Sequence, residues 1–289
     1  MADILATVLS KLGGRLQAAG QRRALSSFPG TIRVADCLVT DLKPLGGYHQ
    51  PGVTKAGRLS FAGMCQGRKV KIYSAFSKAQ IDLRLAVQGH PFAGCEFAPV
   101  ITADEHLVVE AWVEGAPVAA LPHAQQLEAS EAVSSFIIGN QHEPSLLALA
   151  SQYAGAFCYL NDYLLARLGV WRHWGDVGAF VEQWQIEYQA LLSAGAVPQF
   201  LSHPDLSAAN LIREHATGHW LIIDNELLGV GAGWILDARN SLLKRDLPSS
   251  STALDVPMSF VEKTWRLRQL GSALDANDFK LAASLCRLH

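Results

Sequence analysis

The sequence predicts an α+β protein with a strand-rich first part and a mainly helical second part. Residues 58–63 and 68–73 alternate between polar and apolar side chains, which is the period of half-buried strands, and residues 100–115 read as strand, turn, strand and a glycine stop. The chain beyond residue 116 reads as mainly helical, apart from a hairpin pattern at 211–224. We therefore divide the chain into three parts: a helical lead-in at 1–30, a small lobe at 31–115 and a large lobe at 116–289.

The composition is that of a globular protein and excludes two classes of partner. The chain has 289 residues, of which 49% are hydrophobic and 17% charged, enough to bury a substantial core or two lobes. Its net charge of -2 lacks the basic footprint of a nucleic-acid-binding protein. No apolar run approaches the roughly 18 residues that a membrane span needs. We therefore expect no nucleic-acid partner and no membrane span.

The five cysteines indicate a reducing compartment. Their number is odd and no two of them form a Cys-x-x-Cys pair. This usage argues against a disulfide framework and against a zinc site. We therefore expect a cytoplasmic location.

The lead-in has an amphipathic pattern at residues 4–16 with basic residues nearby. Two interpretations stay open: the helix packs on the body of its own chain, or it contacts an anionic surface.

One short region carries the groups that phosphoryl transfer requires. His203 and Asp205 begin a loop that ends at Asn210, and Asp224 follows the apolar stretch 220–223. One carboxylate can orient the attacking hydroxyl, while an amide oxygen and a second carboxylate hold magnesium on the phosphates. Taken alone, such a loop is more typical of a solvated turn, so its context decides the interpretation.

The context is a predicted hairpin. Apolar residues at 211–212 and 220–223 flank a polar turn that contains Gly218. A hairpin of this length returns Asp224 beside Asn210, as a two-ligand magnesium site requires. The pattern therefore favours a catalytic loop.

These residues resemble the catalytic and metal-binding loops of the aminoglycoside phosphotransferase and choline kinase family, which has a protein-kinase-like fold. That family has a His-x-Asp-(four residues)-Asn loop followed by an Ile-Asp-x-Glu strand end, matched here by His203, Asp205, Asn210, Asp224 and Glu226. The resemblance implies that Asp205 is the catalytic base and that Asn210 and Asp224 bind magnesium. It implies that His203 braces the loop.

Two departures from the family pattern leave the subfamily open. Pro204 stands where a glycine is usual, and Ser207 stands where a second histidine is common. Neither change removes a group that does the chemistry.

The resemblance extends to the predicted small lobe, where it implies an ATP-binding lysine. Lys71 lies on the strand pattern 68–73, and Lys69 is the alternative because it points to the same face. Gly46 and Gly47 form a glycine-bearing turn whose backbone would approach the phosphates, although an ordinary surface turn explains them equally well.

Two further segments match the expected nucleotide site. Asp82, within the helical pattern 77–87, is the acid available to pair with the lysine, with a solvated helix face as the alternative. The pattern Glu-x-aromatic-apolar-Glu-Gly at 110–115 resembles the family's hinge. Backbone groups from Glu110 to Trp112 would then face the adenine.

Two other patterns in the second part are less specific. Asp237 falls where the family has an aspartate that steadies the catalytic loop. Three tryptophans with interleaved acids would either line a site for a cationic or sugar-like acceptor or belong to the core. These residues are Trp171, Trp174 and Trp184, with Asp176, Glu182 and Glu187.

We therefore expect a two-lobed protein-kinase-like fold that transfers the γ-phosphoryl group of ATP, with magnesium, to a hydroxyl of a small molecule. Two alternatives stay open: a non-catalytic nucleotide-binding module, and an AMP transferase on the same fold. The sequence leaves open the identity of the acceptor, the choice between ATP and GTP, and the oligomeric state.

Overall fold

The computed structural model describes residues 30–45, 58–174, 176–197, 199–232 and 256–287. The lead-in, the glycine turn at Gly46 and Gly47, and Asp237 lie outside the described residues. In chain order the strands are β1 Ile32–Val34, β2 Cys37–Pro44, β3 Ser60–Cys65, β4 Arg68–Ser74, β5 Glu96–Phe97, β6 Val100–Ala103, β7 Leu107–Ala111, β8 Gly115–Pro117, β9 Phe200–Ser202, β10 Leu211–Glu214, β11 Trp220–Ile222 and β12 Gly229–Gly231. The α-helices are α1 Lys78–Val87, α2 His123–His142, α3 Pro144–Gln152, α4 Ala166–Gly169, α5 Val177–Ser193, α6 Met258–Asp275 and α7 Phe279–Arg287.

The chain divides into two compact units. The first contains the described residues up to Phe76 together with Pro99–Trp112, and the second contains Ser77–Ala98 and the described residues from Val113 onward. The chain thus passes out of the first unit for the last time between Trp112 and Val113, within the segment predicted to be the hinge.

The first unit is an antiparallel sheet with the strand order β1-β2-β3-β4-β7-β6. Side chains alternate across the inner strand β4, as the sequence pattern requires. Val70 and Ile72 enter a hydrophobic cluster with Val109 of β7. Lys71 and Tyr73 therefore lie on the opposite face, where both are buried.

The cysteine count argues against a disulfide framework, and the structure has one disulfide, between Cys37 and Cys65. The two cysteines begin β2 and end β3, and both belong to the hydrophobic cluster of the sheet. Strand pairing brings them together across 28 residues, a separation that carries no signal in the sequence. Since disulfides are rare in reducing compartments, the cysteine count no longer supports such a compartment.

The second unit contains two small sheets. One has the order β5-β11-β10-β8, and the other pairs β12 with β9. The hairpin prediction for residues 211–224 is confirmed, because β10 and β11 pair antiparallel with Leu211 opposite Ile222.

Aromatic side chains of α5 and α6 form much of the helical core. Trp184 stacks on Tyr188 and on Phe260, and its indole N–H donates to the hydroxyl of Thr264 at 2.9 Å. Only 1% of Trp184 is exposed. None of the helices in the described ranges is long and apolar enough to cross a membrane.

Helix α1 confirms the helical pattern at residues 77–87 but belongs to the second unit. Ser77 caps it by accepting from the N–H of Gln80 and donating to the carbonyl of Ala156. The amide of Gln80 donates to the carbonyls of Glu226 and Leu228. These contacts explain why residues 77–98 group with the second unit, whereas the sequence placed them in the small lobe.

Candidate active site

The hairpin places Asn210 beside the residue that precedes Asp224. The N–H of Ile223 donates to the carbonyl of Asn210 at 2.9 Å, which extends the β10–β11 ladder by one step. Asn210 and Asp224 therefore lie at the open end of one hairpin. The register that apolar strand residues impose is what brings these two polar residues together.

Asp224 has a left-handed backbone conformation, with φ 60° and ψ 47°. Aspartate is one of the few residues other than glycine that visits this region, although it remains less favourable than right-handed geometry. The conformation reverses the chain after β11 and starts the short 3-10 turn Asn225–Leu227. Four other non-glycine residues of the described chain also have positive φ, so this conformation marks a turn and is not by itself evidence of a functional site.

The side chain of Asn210 is oriented by Asp205. Its amide nitrogen donates to the Asp205 carbonyl at 2.8 Å and faces one Asp205 carboxylate oxygen at 3.2 Å. Both partners are acceptors, so the nitrogen must point toward them and the amide oxygen away. The amide oxygen of Asn210 and the carboxylate of Asp224 are hard oxygen donors of the kind that magnesium prefers.

Asp205 is held by a residue that the sequence analysis did not identify. The guanidinium of Arg268, on α6, binds the other carboxylate oxygen of Asp205 and also donates to the carbonyl of Pro204. Arg268 lies 63 residues after Asp205. A helical arginine at that distance carries no signal in a single sequence.

His203 lies at the start of the same loop and is 1% exposed. Its ring packs 6.4 Å from the ring of Phe97, and its carbonyl accepts from the N–H of Leu206 at 3.0 Å. Phe97 ends β5, which pairs with β11 of the hairpin. The position is compatible with the bracing role that the resemblance implies, which remains a prediction.

Tyrosines of a π-helical segment, Tyr159–Leu165, pack near Arg268. The guanidinium lies 5.8 Å from the ring of Tyr159, which is 5.3 Å from the ring of Tyr163. Burial raises the pKa of Tyr163 to about 12 and also raises the pKa of Tyr159. Both phenols therefore stay protonated at neutral pH.

In the first unit, Lys71 lies directly opposite Glu110 on paired strands. Only 8% of Lys71 and 1% of Glu110 are exposed, and the hydroxyl of Tyr73 donates to the Glu110 carboxylate at 2.9 Å. Cross-strand neighbours share one face of a sheet, so the carboxylate lies on the same face as the lysine. Lys69 instead is exposed and stacks on Trp112 at 3.6 Å.

Asp82 lies on the exposed surface of α1. Its carboxylate binds Lys78 one turn earlier at 2.8 Å, with 40% of the Asp82 side chain exposed. This is the solvated helix face that the sequence analysis gave as the alternative interpretation.

The backbone of the hinge segment is partly engaged within the sheet. The N–H of Ala111 donates to the carbonyl of Pro99, and the N–H of Trp112 donates to the carbonyl of Lys69. Glu110 pairs with β4 on one side and with β6 on the other. Val113 is the next residue, and its N–H forms no hydrogen bond with the described part of the chain. The first backbone N–H of this segment without such a bond thus lies one residue beyond the predicted range.

The tryptophans considered for an acceptor site do not share one surface. Trp184 belongs to the core, which is one of the two interpretations that the sequence left open, while Trp171 and Trp174 pack on Phe279. Glu187 is bound by Lys263 at 2.6 Å. These contacts do not assemble the acidic and aromatic wall that the sequence suggested.

Comparison with solved structures identifies the fold. The chain matches the streptomycin-ATP-APH(2")-IIa ternary complex with a TM-score of 0.53 and 13% identity, over 87% of this chain and 92% of that one. It matches the GDP complex of aminoglycoside 2'-phosphotransferase-IIIa with a TM-score of 0.50 and 13% identity, over 86% and 90%.

The chain has the aminoglycoside phosphotransferase fold. A third match, the gentamicin-APH(2")-IIa complex, has a TM-score of 0.53 and 14% identity over 87% of this chain and 92% of that one. The predicted two-lobed, protein-kinase-like α+β fold is therefore confirmed. No protein-family model matches the chain, and no curated protein matches its sequence.

Proposed function

We propose that this chain is a phosphotransferase that moves the γ-phosphoryl group of ATP, with magnesium, to a hydroxyl of a small molecule. The observation that carries the proposal is the arrangement of Asp205, Asn210 and Asp224. The side-chain amide of Asn210 binds Asp205, and the register of the β10–β11 hairpin brings Asn210 and Asp224 to the same end of the hairpin. The order and roles of these groups are those that phosphoryl transfer requires.

Asn210 and Asp224 are the proposed magnesium ligands. The amide nitrogen of Asn210 is taken up by Asp205, which leaves the amide oxygen for a metal. Magnesium bound there would neutralise charge on the transferred phosphate. The protein's own contribution is to fix the two oxygen donors before the nucleotide arrives.

Asp205 is the proposed base, and its role is to orient the acceptor hydroxyl and accept its proton. Its side chain is 36% exposed, so a substrate can reach it. The neighbouring phenols stay protonated. In transfers with a loose transition state, orienting the nucleophile matters more than removing its proton early.

Lys71 is the proposed contact to phosphate oxygens. A lysine buried on an inner strand needs a compensating carboxylate, and Glu110 provides one from the paired strand. We propose Gly46 and Gly47 as the backbone that approaches the phosphates. We propose that the backbone from Glu110 to Trp112 faces the nucleotide base, with Val113 as the nearest N–H donor that has no hydrogen-bond partner among the described residues.

The substrate classes rest on the resemblance in fold. Solved structures with this fold include an ATP complex with streptomycin and a GDP complex. We accordingly propose a purine nucleotide as donor, with ATP as the first choice, and a hydroxyl-bearing small molecule as acceptor.

One observation favours a non-catalytic nucleotide-binding module as the second candidate. The acid expected to pair with the phosphate-binding lysine, Asp82, binds Lys78 on an exposed helix surface. Glu110 weakens this argument because it supplies an acid from another element.

Incubation with ATP, magnesium and a panel of acceptors tests the proposal. The panel holds aminoglycosides, choline-like amines, sugars and nucleosides, and the readouts are ADP release and the mass of each acceptor. A gain of one phosphate, lost in Asp224→Asn, is the expected result. A gain of AMP would indicate the transferase alternative. Magnesium-dependent ATP binding without any product from the panel would favour the binding module.

A further inference from the structure

Asp205 and the residue before it are held by one arginine on a distant helix. The guanidinium of Arg268 binds a carboxylate oxygen of Asp205 and the carbonyl of Pro204. A planar guanidinium presents several donors in fixed directions, so two such contacts fix both the position of the loop and the rotation of the carboxylate. A lysine in its place would supply charge without that geometry.

Arg268 lies near two aromatic rings. Its guanidinium lies 5.8 Å from the rings of both Tyr159 and Trp265. The next turn of α6 is tied down by Arg167, which donates to the carbonyl of Gly271 and binds Asp275. Groups on a rigid helix hold an active-site side chain more accurately than groups on a loop.

The remaining support of the Asp205 carboxylate is weaker. Its second oxygen faces the amide of Asn210 at 3.2 Å, at the long end of hydrogen-bonding distance. That amide also donates to the Asp205 carbonyl at 2.8 Å. Without Arg268, the contact with Asn210, which is long and shared, would be the one side-chain contact in the described part of the chain that limits rotation of the carboxylate.

We propose that Arg268 is a positioning residue that holds the carboxylate of Asp205 toward the acceptor hydroxyl. The proposal rests on the proposed role of Asp205 as the base. Arg268 acts through Asp205, and it contacts neither nucleotide nor acceptor in this scheme. An error of about 1 Å in such a group lowers turnover on the order of 10²-fold, so loss of the arginine has a kinetic signature.

Steady-state kinetics of Arg268→Ala, Arg268→Lys and the control Lys263→Ala test this role. Lys263 lies on the same helix and binds Glu187 instead of the loop. We expect Arg268→Ala to lower kcat by about 10²-fold without changing KM for ATP. Arg268→Lys should recover part of that loss in kcat, and Lys263→Ala should keep wild-type kinetics. A raised KM for ATP with unchanged kcat would overturn the proposal.

Two further readouts separate positioning from a general structural role. Guanidinium ions, at concentrations well below those that unfold the protein, should raise the kcat of Arg268→Ala. They should not raise the kcat of the double variant Asp205→Ala, Arg268→Ala. The activity of this double variant should equal that of Asp205→Ala alone, because the two residues act as one unit. Additive losses without rescue would contradict a positioning role.

Hydrogen exchange gives a readout that does not depend on turnover. Arg268→Ala should speed exchange at residues 203–210, while Lys263→Ala should not. If the wild-type chain transferred no phosphate, the proposed function would fail, and the exchange experiment would still decide whether Arg268 holds the loop. Unchanged exchange at 203–210 would overturn the inference on its own.

Discussion

At the scale of single residues, Asn210 has two separable tasks. Its amide nitrogen binds Asp205 at the carbonyl and at one carboxylate oxygen, and its amide oxygen is the proposed metal ligand. The two ends of one small side chain would thus connect the base to the magnesium site. Substitutions at this position can distinguish the two tasks because they remove different atoms.

Asn210→Asp keeps an oxygen donor for magnesium but replaces the N–H donors with a second carboxylate facing Asp205. We expect the affinity for magnesium-ATP to be retained and turnover to fall, since like charges repel the base from its position. Asn210→Ala should lose both properties because it removes the ligand as well. Calorimetry with ADP-release assays on both variants checks this, and equal affinity loss in the two would place the metal ligand elsewhere.

The two lysines of β4 differ in environment, and this difference supports a choice between them. Lys71 is buried opposite Glu110, whereas Lys69 is exposed over the ring of Trp112. We expect Lys71→Ala to lower kcat/KM for ATP far more than Lys69→Ala, which serves as the matched control on the same strand. Small and equal effects on kcat/KM would remove the phosphate contact from both lysines.

At the scale of elements, Gly94 fixes the approach of the segment before β5 to α2. Its φ is +78°, and a Cβ at this position would lie 2.2 Å from the carbonyl oxygen of Ala132. Gly218, in the turn of the β10–β11 hairpin, has φ +75° with open space around it. A substitution at either glycine places a side chain on a backbone with positive φ. Only at Gly94 would the new side chain also clash with a neighbouring atom.

Gly94→Ala should therefore lower the free energy of unfolding by about 1–3 kcal/mol more than Gly218→Ala, the usual range for overpacking. Chemical denaturation of the two variants measures the difference. Equal destabilisation would mean that the chain before β5 does not pack against α2 as described.

Sequence reasoning succeeded where a local pattern fixes the element. Alternation predicts β4 with Lys71, and the Gly218 turn between apolar runs predicts the hairpin that returns Asp224 beside Asn210. These predictions need only neighbours in sequence.

It failed where distant elements meet. Arg268 pairs with Asp205 across 63 residues, and Cys37 joins Cys65 only through strand pairing. For Trp184 the sequence left an acceptor site and the core open, and its contact with Thr264 of α6 shows that it belongs to the core. Tertiary contacts of this kind leave no periodic signal in one sequence.

At the scale of the whole molecule, the fold persists at 13% identity to APH(2")-IIa. A fold does not determine a reaction. The central claim is therefore chemical: Asp205 acts on the acceptor, and Asp224 acts on the metal-bound nucleotide.

Comparison of Asp205→Ala with Asp224→Asn tests that claim most directly, and Asp205→Asn is included as a variant that conserves shape. Two properties are measured for each variant: the affinity for magnesium-ATP by calorimetry, and the rate of acceptor-dependent ADP release. We predict that both Asp205 variants bind magnesium-ATP nearly as the wild type does, while turnover falls by roughly 10²–10⁴, the usual effect of losing a positioned base. Asp224→Asn should lose affinity and turnover together, because an amide is a poorer ligand for magnesium. Full activity in Asp205→Ala, or unchanged affinity and turnover in Asp224→Asn, would contradict the account.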